Sequence, residues 1–294
     1  MSQQTGNDVS HFDPSNSVSN LATTTYVNVG PATVAYRRFG KRSDAPLVCL
    51  HRFRGNMDQW DPYFLDLIAE KRELIILDNT GVGLSTGQVP DSVAGMAENV
   101  ALFLDKLGLD RVDVLGWSLG GCVAQSLTLQ RPNQVRRLIL AATSPGGIAD
   151  APKMADKTVQ IMSKPVSVDE DFLYLFFDEH EEGRSAGVAH LRRLWQRKEQ
   201  PVPHVTVESF KAQFMAIRAW SMGQGAALPR LGEISQPVLV ANGQNDLIIA
   251  AYNSYVMAQK LPNAQLILYP RSGHGFLFQH AQLFGKHVLE FLDA

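Results

Sequence analysis

Short apolar segments alternate with segments of helical periodicity along most of the 294-residue chain. The runs at 46–50 and 74–77 are continuously apolar, which is typical of strands buried on both faces of a parallel sheet. From 93 to 107 apolar residues instead recur at helical spacing, and Gly108 follows them as a stop signal. This alternation predicts βαβ units and therefore an α/β fold with a mostly parallel central sheet flanked by helices.

Strand signatures also occur towards both ends of the sequence. Residues 25–29 and 33–38 have strand-like composition, and the Gly30-Pro31 pair between them predicts a hairpin. Further strands are predicted at 112–115, 138–142, 238–241 and 266–269, with helices at 119–129, 254–261 and 277–292.

The alternation is interrupted between residues 148 and 228. This stretch has no convincing strand, and its clearest helical segments are 171–177 and 210–220. It is too long for a simple crossover, so it predicts a helical cap inserted after the sixth strand. Such a cap would cover the carboxyl edge of the sheet, where open α/β folds bind ligands. Residues 24–147 and 229–294 would form the core.

A Gly-Trp-Ser-Leu-Gly sequence at 116–120 follows a predicted strand and precedes a segment of helical character. In that context a G-x-S-x-G sequence places its serine on a strained turn from strand to helix. Ser118 would then lie at a helix N-terminus, where unsatisfied N–H groups attract negative charge. We interpret Ser118 as a nucleophile, the alternative being a Gly/Ser-rich turn without a chemical role.

A serine hydroxyl needs a base that accepts its proton. His274 lies just beyond the strand predicted at 266–269, on a loop at the same carboxyl edge. Asp246 follows the strand predicted at 238–241 and could orient the imidazole, although a turn aspartate is its structural alternative. The histidines set aside lie in the N-terminal arm, the insertion or the last helix: His11, His180, His190, His204, His280 and His287.

The order Ser118, Asp246, His274 and two further motifs resemble the α/β-hydrolase family over roughly residues 24–294. Residues 51–55 (HRFRG) resemble its H-G-x-x-G loop, and residues 78–85 (DNTGVGLS) resemble its D-x-x-G-x-G-x-S loop. The resemblance implies the α/β-hydrolase fold and a capped, serine-dependent, esterase- or lactonase-like enzyme. It also implies an oxyanion hole that is formed by the backbone N–H groups of Phe53 and Leu119.

Two positions depart from the family pattern. Arg52 replaces a glycine beside the oxyanion position, and Thr80 replaces an arginine. Arg52 and Arg54 are candidates for contact with an anionic substrate group, with loop stabilisation or solvent exposure as the alternatives. Further candidates for substrate contact are Trp117, Phe176 and Trp220, whereas most other aromatic side chains of the insertion, such as Phe172, Tyr174, Phe177 and Phe214, are expected to pack it onto the core.

Composition limits the range of partners. A net charge of -2 supplies no source for phosphate-neutralising contacts with nucleic acid, and no apolar stretch approaches the length of a membrane span. Residues 1–23 are polar and lack the basic and apolar regions of a signal peptide, so they predict a disordered or loosely docked arm. Cys49 and Cys122 lie in apolar runs, which predicts a buried free thiol at each, and two cysteines make no disulfide framework. We expect a cytoplasmic protein that acts on a small molecule. The sequence leaves open whether the protein forms a homodimer.

Two weaker motifs are discounted. Residues 81–86 begin like a dinucleotide-binding sequence, but Thr86 stands where the third glycine should be. Residues 180–184 fail the H-E-x-x-H zinc pattern because Arg184 replaces the second histidine. We therefore predict no cofactor and no metal ion.

Together these residues predict a serine hydrolase that cleaves a small or medium ester, lactone or thioester through an acyl-enzyme. A carbon–carbon bond hydrolase or a perhydrolase could use the same three residues. A ligand-binding receptor without turnover is the alternative from a different class, because one fold supports unrelated functions.

Overall fold

The computed structural model describes residues 12–13, 15–164, 166–194, 196–197 and 200–294. Most of the predicted arm, His11 included, lies outside them. The strands are β1 (Thr25–Val29), β2 (Ala32–Gly40), β3 (Leu47–Leu50), β4 (Glu73–Leu77), β5 (Val112–Trp117), β6 (Val135–Ala141), β7 (Val238–Gly243) and β8 (Ala264–Tyr269). The α-helices are α1 (Val18–Leu21), α2 (Pro62–Ala69), α3 (Val93–Lys106), α4 (Leu119–Gln130), α5 (Asp156–Met162), α6 (Asp169–Phe176), α7 (Glu181–Leu194), α8 (Val207–Ser221), α9 (Ala251–Lys260), α10 (Phe276–Gln279) and α11 (Ala281–Asp293).

The eight strands form one sheet in the order β1-β2-β4-β3-β5-β6-β7-β8. The predicted hairpin is present, because β1 pairs with β2 in antiparallel register. β2 also runs antiparallel to β4, and every later pairing is parallel. The predicted α/β fold with a mostly parallel sheet is confirmed.

Successive residues of the central strands are buried in two different apolar layers. On β3, Val48 packs into one layer and Cys49 into the other, and Ile75 and Ile76 on β4 divide in the same way. One layer contains the apolar faces of α3 and α4, and the other those of α2 and α11. Burial on both faces explains why these strands read as continuous apolar runs. Both cysteines are buried and free, as the sequence predicts.

Two predicted boundaries differ from the structure. β6 begins at Val135 rather than at 138, because Val135 pairs with Val112 on β5 and Arg137 pairs with Asp113. Arg136, at the irregularity between these two pairs, donates two hydrogen bonds, of 2.9 and 2.5 Å, to the carboxylate of Asp113. The helix predicted at 277–292 is two helices, α10 and α11, which meet at His280 in a non-helical conformation (φ -112°, ψ 39°).

Four helices, α5 to α8, lie between β6 and β7, and the described residues of this segment contain no strand. α7 packs against α10 and α2, whereas α8 packs against α3. The sequence had singled out segments that overlap α6 and α8 but not α5 or α7. The assignment of this segment as a cap stays a prediction.

The described part of the N-terminal arm contacts the core. The backbone N–H of Ser19 on α1 donates to the carboxylate of Asp66 on α2 at 3.0 Å, and the ring of Phe12 lies edge-on to Tyr63 at 5.5 Å. Within the residues that the structure describes, no helix is both long and apolar enough to cross a membrane.

Candidate active site

The loops that follow β3, β5, β7 and β8 meet at the carboxyl edge of the sheet, because these strands are parallel. A cavity of about 400 Å³ opens between this edge and the helices after β6. Its lining includes Arg52 and Phe53 after β3, Ser118 after β5, Phe176 on α6 and His274 after β8. The topology therefore brings most of the predicted site residues to one place.

Ser118 occupies the turn between β5 and α4. Its backbone is in the left-handed region at φ 57° and ψ -118°, a conformation that costs a non-glycine residue energy and that the surroundings must enforce. The Ser118 N–H donates to the carbonyl of Ala141 at 2.9 Å, and the Thr143 hydroxyl donates to the Ser118 carbonyl at 2.7 Å. The last residue of β6 and the loop that follows it thus hold both backbone groups of the serine.

The glycines around Ser118 are required by close packing. A Cβ atom on Gly116 would lie 2.4 Å from the carbonyl oxygen of Gly120, and one on Gly120 would lie 2.1 Å from that of Leu50. A Cβ on Gly121 would lie 2.5 Å from the Thr143 side chain. The G-x-S-x-G spacing therefore lets β5 turn into α4 directly against the end of β3.

His274 and Asp246 form a buried carboxylate–imidazole pair. The distance from Nδ1 of His274 to Oδ2 of Asp246 is 2.8 Å, and both side chains are almost completely buried. The other carboxylate oxygen accepts the backbone N–H groups of Ile248 and Ile249 at 2.8 and 2.9 Å. Because the carboxylate is fixed by its own loop, it can hold the imidazole with Nε2 free of that contact.

Aromatic side chains fix the other surroundings of His274. The indole N–H of Trp117 donates to the His274 carbonyl at 3.0 Å. The ring of Phe176 stacks against the imidazole at 5.7 Å between centroids, and the Gly275 N–H donates to the Phe176 carbonyl at 2.7 Å. Helix α6 therefore takes part in positioning the histidine.

The loop at 51–55 folds around the imidazole of His51. Nδ1 of His51 accepts the backbone N–H of Arg52 at 2.8 Å, and a Cβ atom on Gly55 would lie only 1.8 Å from the same nitrogen. Burial and the charge of Arg52 hold the pKa of His51 well below its usual range. The neutral ring therefore shapes this loop and presents Phe53 to the cavity.

The loop at 78–85 binds the segment that follows directly after the loop at 51–55. The carboxylate of Asp78 accepts the N–H of Met57 at 2.8 Å and that of Leu84 at 2.9 Å. The Ser85 hydroxyl donates to the Asp78 carbonyl at 2.6 Å, and a Cβ atom on Gly83 would lie 2.3 Å from Oδ2 of Asp78. The residues of the D-x-x-G-x-G-x-S motif thus surround the buried carboxylate of Asp78 and hold it in place.

Two predicted substrate contacts lie away from the cavity lining. Trp117 is buried between the rings of His51, Trp60 and Phe176, and Trp220 is buried with its indole N–H on the Ser144 carbonyl at 3.0 Å. Both side chains support the site from outside it. Leu119 begins α4, where the first N–H groups have no acceptor within the helix.

Three residues that the sequence did not single out also shape the site. Gln59 lines the cavity and accepts a hydrogen bond from Arg52 at 3.2 Å. Thr143 anchors Ser118, and Ile248 lines the cavity while its N–H holds Asp246. No local motif identifies Gln59 or Thr143, because their roles depend on contacts with distant segments. In the described ranges no three or more His, Cys, Asp or Glu side chains are grouped so as to hold a metal ion.

Comparison with known proteins identifies the family. The profile of the alpha/beta hydrolase fold family matches residues 45–281. The chain belongs to the α/β-hydrolase family. A solved α/β-hydrolase fold protein from Chitinophaga pinensis is 35% identical, with a TM-score of 0.83 and coverage of 94% of this chain and 99% of that chain.

The relatives include hydrolases of more than one kind. Pimeloyl-(acyl-carrier protein) methyl ester esterase of Nitrosomonas europaea is 33% identical over 237 residues, which covers 78% of this chain and 88% of the relative. A 2-hydroxy-6-oxo-6-phenylhexa-2,4-dienoate hydrolase of Burkholderia cepacia is 26% identical and covers 84% and 87%. This α/β-hydrolase is therefore similar both to an ester hydrolase and to a dienoate hydrolase.

Proposed function

We propose that this chain is a serine hydrolase that cleaves esters of small or medium size through an acyl-enzyme. The observation that carries the proposal is the buried Asp246–His274 pair, which opens onto the same cavity as Ser118 on its strained turn. Since Nδ1 of His274 contacts Asp246, Nε2 is the nitrogen left to accept the proton of Ser118. Ser118 Oγ then attacks the carbonyl carbon, and His274 returns the proton to the leaving group.

In the same proposal, the tetrahedral oxyanion is held by the N–H groups of Phe53 and Leu119. Phe53 lines the cavity, and Leu119 stands at the start of α4, where the helix favours negative charge. Donors of this kind contribute about 3–4 kcal/mol each to transition-state stabilisation in other enzymes. Water activated by His274 then releases the acyl group from Ser118.

An ester is the first choice of substrate because the relative at 33% identity is a methyl ester esterase. Carbon–carbon bond cleavage is the second candidate function. It is favoured by the relative from Burkholderia cepacia, whose name gives an oxo-dienoate as its substrate. The proposed Ser118, Asp246 and His274 could serve either reaction.

The test is labelling with a fluorophosphonate, read out by intact mass, on wild type and on Ser118→Ala. We expect one adduct on wild type, none on the variant, and loss of turnover in Ser118→Ala with an unchanged circular dichroism spectrum. Turnover at wild-type rates by folded Ser118→Ala would contradict the proposal. A simple ester and a vinylogous diketone, assayed side by side, distinguish ester from carbon–carbon bond cleavage.

A further inference from the structure

Arg52 differs from the other buried arginines in having no acidic partner. The side chains of Arg37 and Arg193 are equally buried, and each contacts a carboxylate, that of Asp58 at 2.7 Å and that of Asp61 at 2.6 Å. Arg52 is 8% exposed, yet in the described part of the chain no carboxylate lies within ion-pair distance of it. A buried charge is normally paired, but this guanidinium has no counter-ion among the described residues.

The protein uses only part of the hydrogen-bonding capacity of Arg52. Nη1 donates to the Phe53 carbonyl at 2.7 Å, and Nη2 donates to Oε1 of Gln59 at 3.2 Å. Nε is buried and has no partner among the described residues. A guanidinium carries five N–H groups, so the two contacts orient the side chain without saturating it.

Aromatic rings hold this guanidinium beside the proposed catalytic histidine. Its carbon lies 4.9 Å from the ring centroid of Phe176, 5.5 Å from that of Phe172 and 5.6 Å from that of Trp117. The His274 imidazole stacks on the same Phe176 ring at 5.7 Å. Ring faces stabilise a cation but do not neutralise its charge.

The cavity is short of negative charge. Within the described lining, the one carboxylate is that of Asp169, which is exposed, whereas Arg52 and Arg54 both lie in the wall. Burial, and then the charge of Arg54, lower the pKa of Arg52 to about 9. Arg52 is therefore still protonated near pH 7, and the cavity presents a desolvated positive charge to whatever enters it.

We propose that Arg52 binds a carboxylate of the substrate, so that the enzyme prefers esters of dicarboxylic acids in which one acid group is free. This inference rests on the proposed function and names its substrate class. A carboxylate matches the single positive charge and the planar donor fork of arginine. It would complete the ion pair that the protein leaves open.

The kinetic test compares two substrates of equal length, ethyl hexanoate and monoethyl adipate, followed by release of ethanol. We expect wild type to show a higher kcat/KM for the adipate monoester by about tenfold or more, as for hydrogen bonds to a charged group. Arg52→Gln should lose that preference, mainly through KM, and Arg52→Lys should retain part of it. Arg192→Gln removes one charge from an exposed residue of α7 and is the matched control.

An equal loss for both substrates in Arg52→Gln would overturn the inference, because it would indicate a role in shaping the loop only. A wild-type preference for the neutral ester would also overturn it. The monoesters of succinate and glutarate extend the comparison, so that chain length alone does not decide the outcome.

A binding measurement separates this inference from the proposed function. Adipate binding to Ser118→Ala is measured by calorimetry, with 1,6-hexanediol as the neutral comparison. We expect adipate to bind, hexanediol not to bind, and the additional change Arg52→Gln to abolish adipate binding. Adipate binding by an enzyme that hydrolyses neither ester would leave the Arg52 site standing and refute ester hydrolysis. Hydrolysis of both esters without adipate binding would refute the Arg52 site alone.

Discussion

Both oxygens of the Asp246 carboxylate are held by hydrogen bonds, and this arrangement lets one side chain fix the orientation of His274. One oxygen faces Nδ1 of His274, and the other accepts two backbone N–H groups of its own loop. The carboxylate therefore cannot rotate away without losing hydrogen bonds in a buried site, where an unpaired polar group costs about 1–3 kcal/mol. At the residue scale, the orientation of His274 depends on the negative charge of this side chain.

Asp246→Asn should lower kcat by about 10³–10⁴-fold while the fold is retained. An amide N–H facing Nδ1 would favour the tautomer in which Nε2 carries the proton, so His274 could not accept one from Ser118. The measurement is ester turnover across pH 6 to 9, with Asp110→Asn, an exposed aspartate, as the control. A loss of less than about tenfold would show that Asp246 is not the carboxylate on which the imidazole depends.

At the scale of elements, the turn from β5 to α4 depends on how closely three backbone segments approach one another. Gly120 lies in the first turn of α4 and faces the end of β3, with no space for a side chain. Gly232, in contrast, has no atom within 4 Å of the place a Cβ would occupy. Substitution of each glycine by alanine therefore tests whether close packing restricts the turn from β5 to α4, with Gly232 as the control.

Gly120→Ala should lower the free energy of unfolding by about 3 kcal/mol or more, because its methyl group would meet the Leu50 carbonyl at 2.1 Å. Gly232→Ala should change it by no more than about 0.5 kcal/mol. Urea denaturation of both variants checks this. Equal stability of the two would mean that β3 and α4 can move apart at little cost.

At the scale of the whole molecule, a buried ion cluster attaches α7 to α2. The Asp61 carboxylate accepts hydrogen bonds from Arg193 at 2.8 and 2.6 Å and contacts Nδ1 of His190 at 2.8 Å. The His190 ring also stacks on Phe278 at 4.4 Å. Burial raises the pKa of Asp61, but the contacts with His190 and Arg193 outweigh burial and lower it to about 2.

Arg193→Met should destabilise the protein by about 3–5 kcal/mol, because it leaves the buried Asp61 carboxylate without its main partner. The neighbouring Arg192→Met removes an exposed arginine and should cost less than about 0.5 kcal/mol. Unfolding in urea at pH 7 gives both values. If the two variants were equally stable, the cluster would not be the attachment of α7.

The same cluster should make the free energy of unfolding depend on pH. The pKa of folded Asp61 lies below its usual value of 3.8, so its contribution is complete above about pH 4 and is lost as the pH falls towards 2. Wild type should therefore lose stability across that interval more steeply than Arg193→Met, in which the pKa of Asp61 is no longer lowered by the guanidinium. Parallel decline of the two would contradict the assignment.

Local patterns in the sequence determined the sheet and the main positions of the proposed site. The continuous apolar runs predict strands buried on both faces, and the G-x-S-x-G sequence at 116–120, after one such strand and before a helix, predicts the turn. Ser118, Asp246 and His274 could be placed together because the carboxyl ends of parallel strands share one edge.

Only the tertiary structure decided which side chains face the cavity and which are buried behind it. The sequence suggested Trp117 and Trp220 as substrate contacts, but both side chains are buried behind the cavity lining. The sequence left three roles open for Arg52, namely contact with an anionic substrate group, stabilisation of its loop and exposure to solvent. Its burial beside Phe172 and Phe176, which lie more than a hundred residues away in the sequence, is visible only in the tertiary structure. Whether a side chain is buried, and whether it has a counter-ion, depends on residues that are far away in the sequence. No local sequence pattern therefore specifies either property.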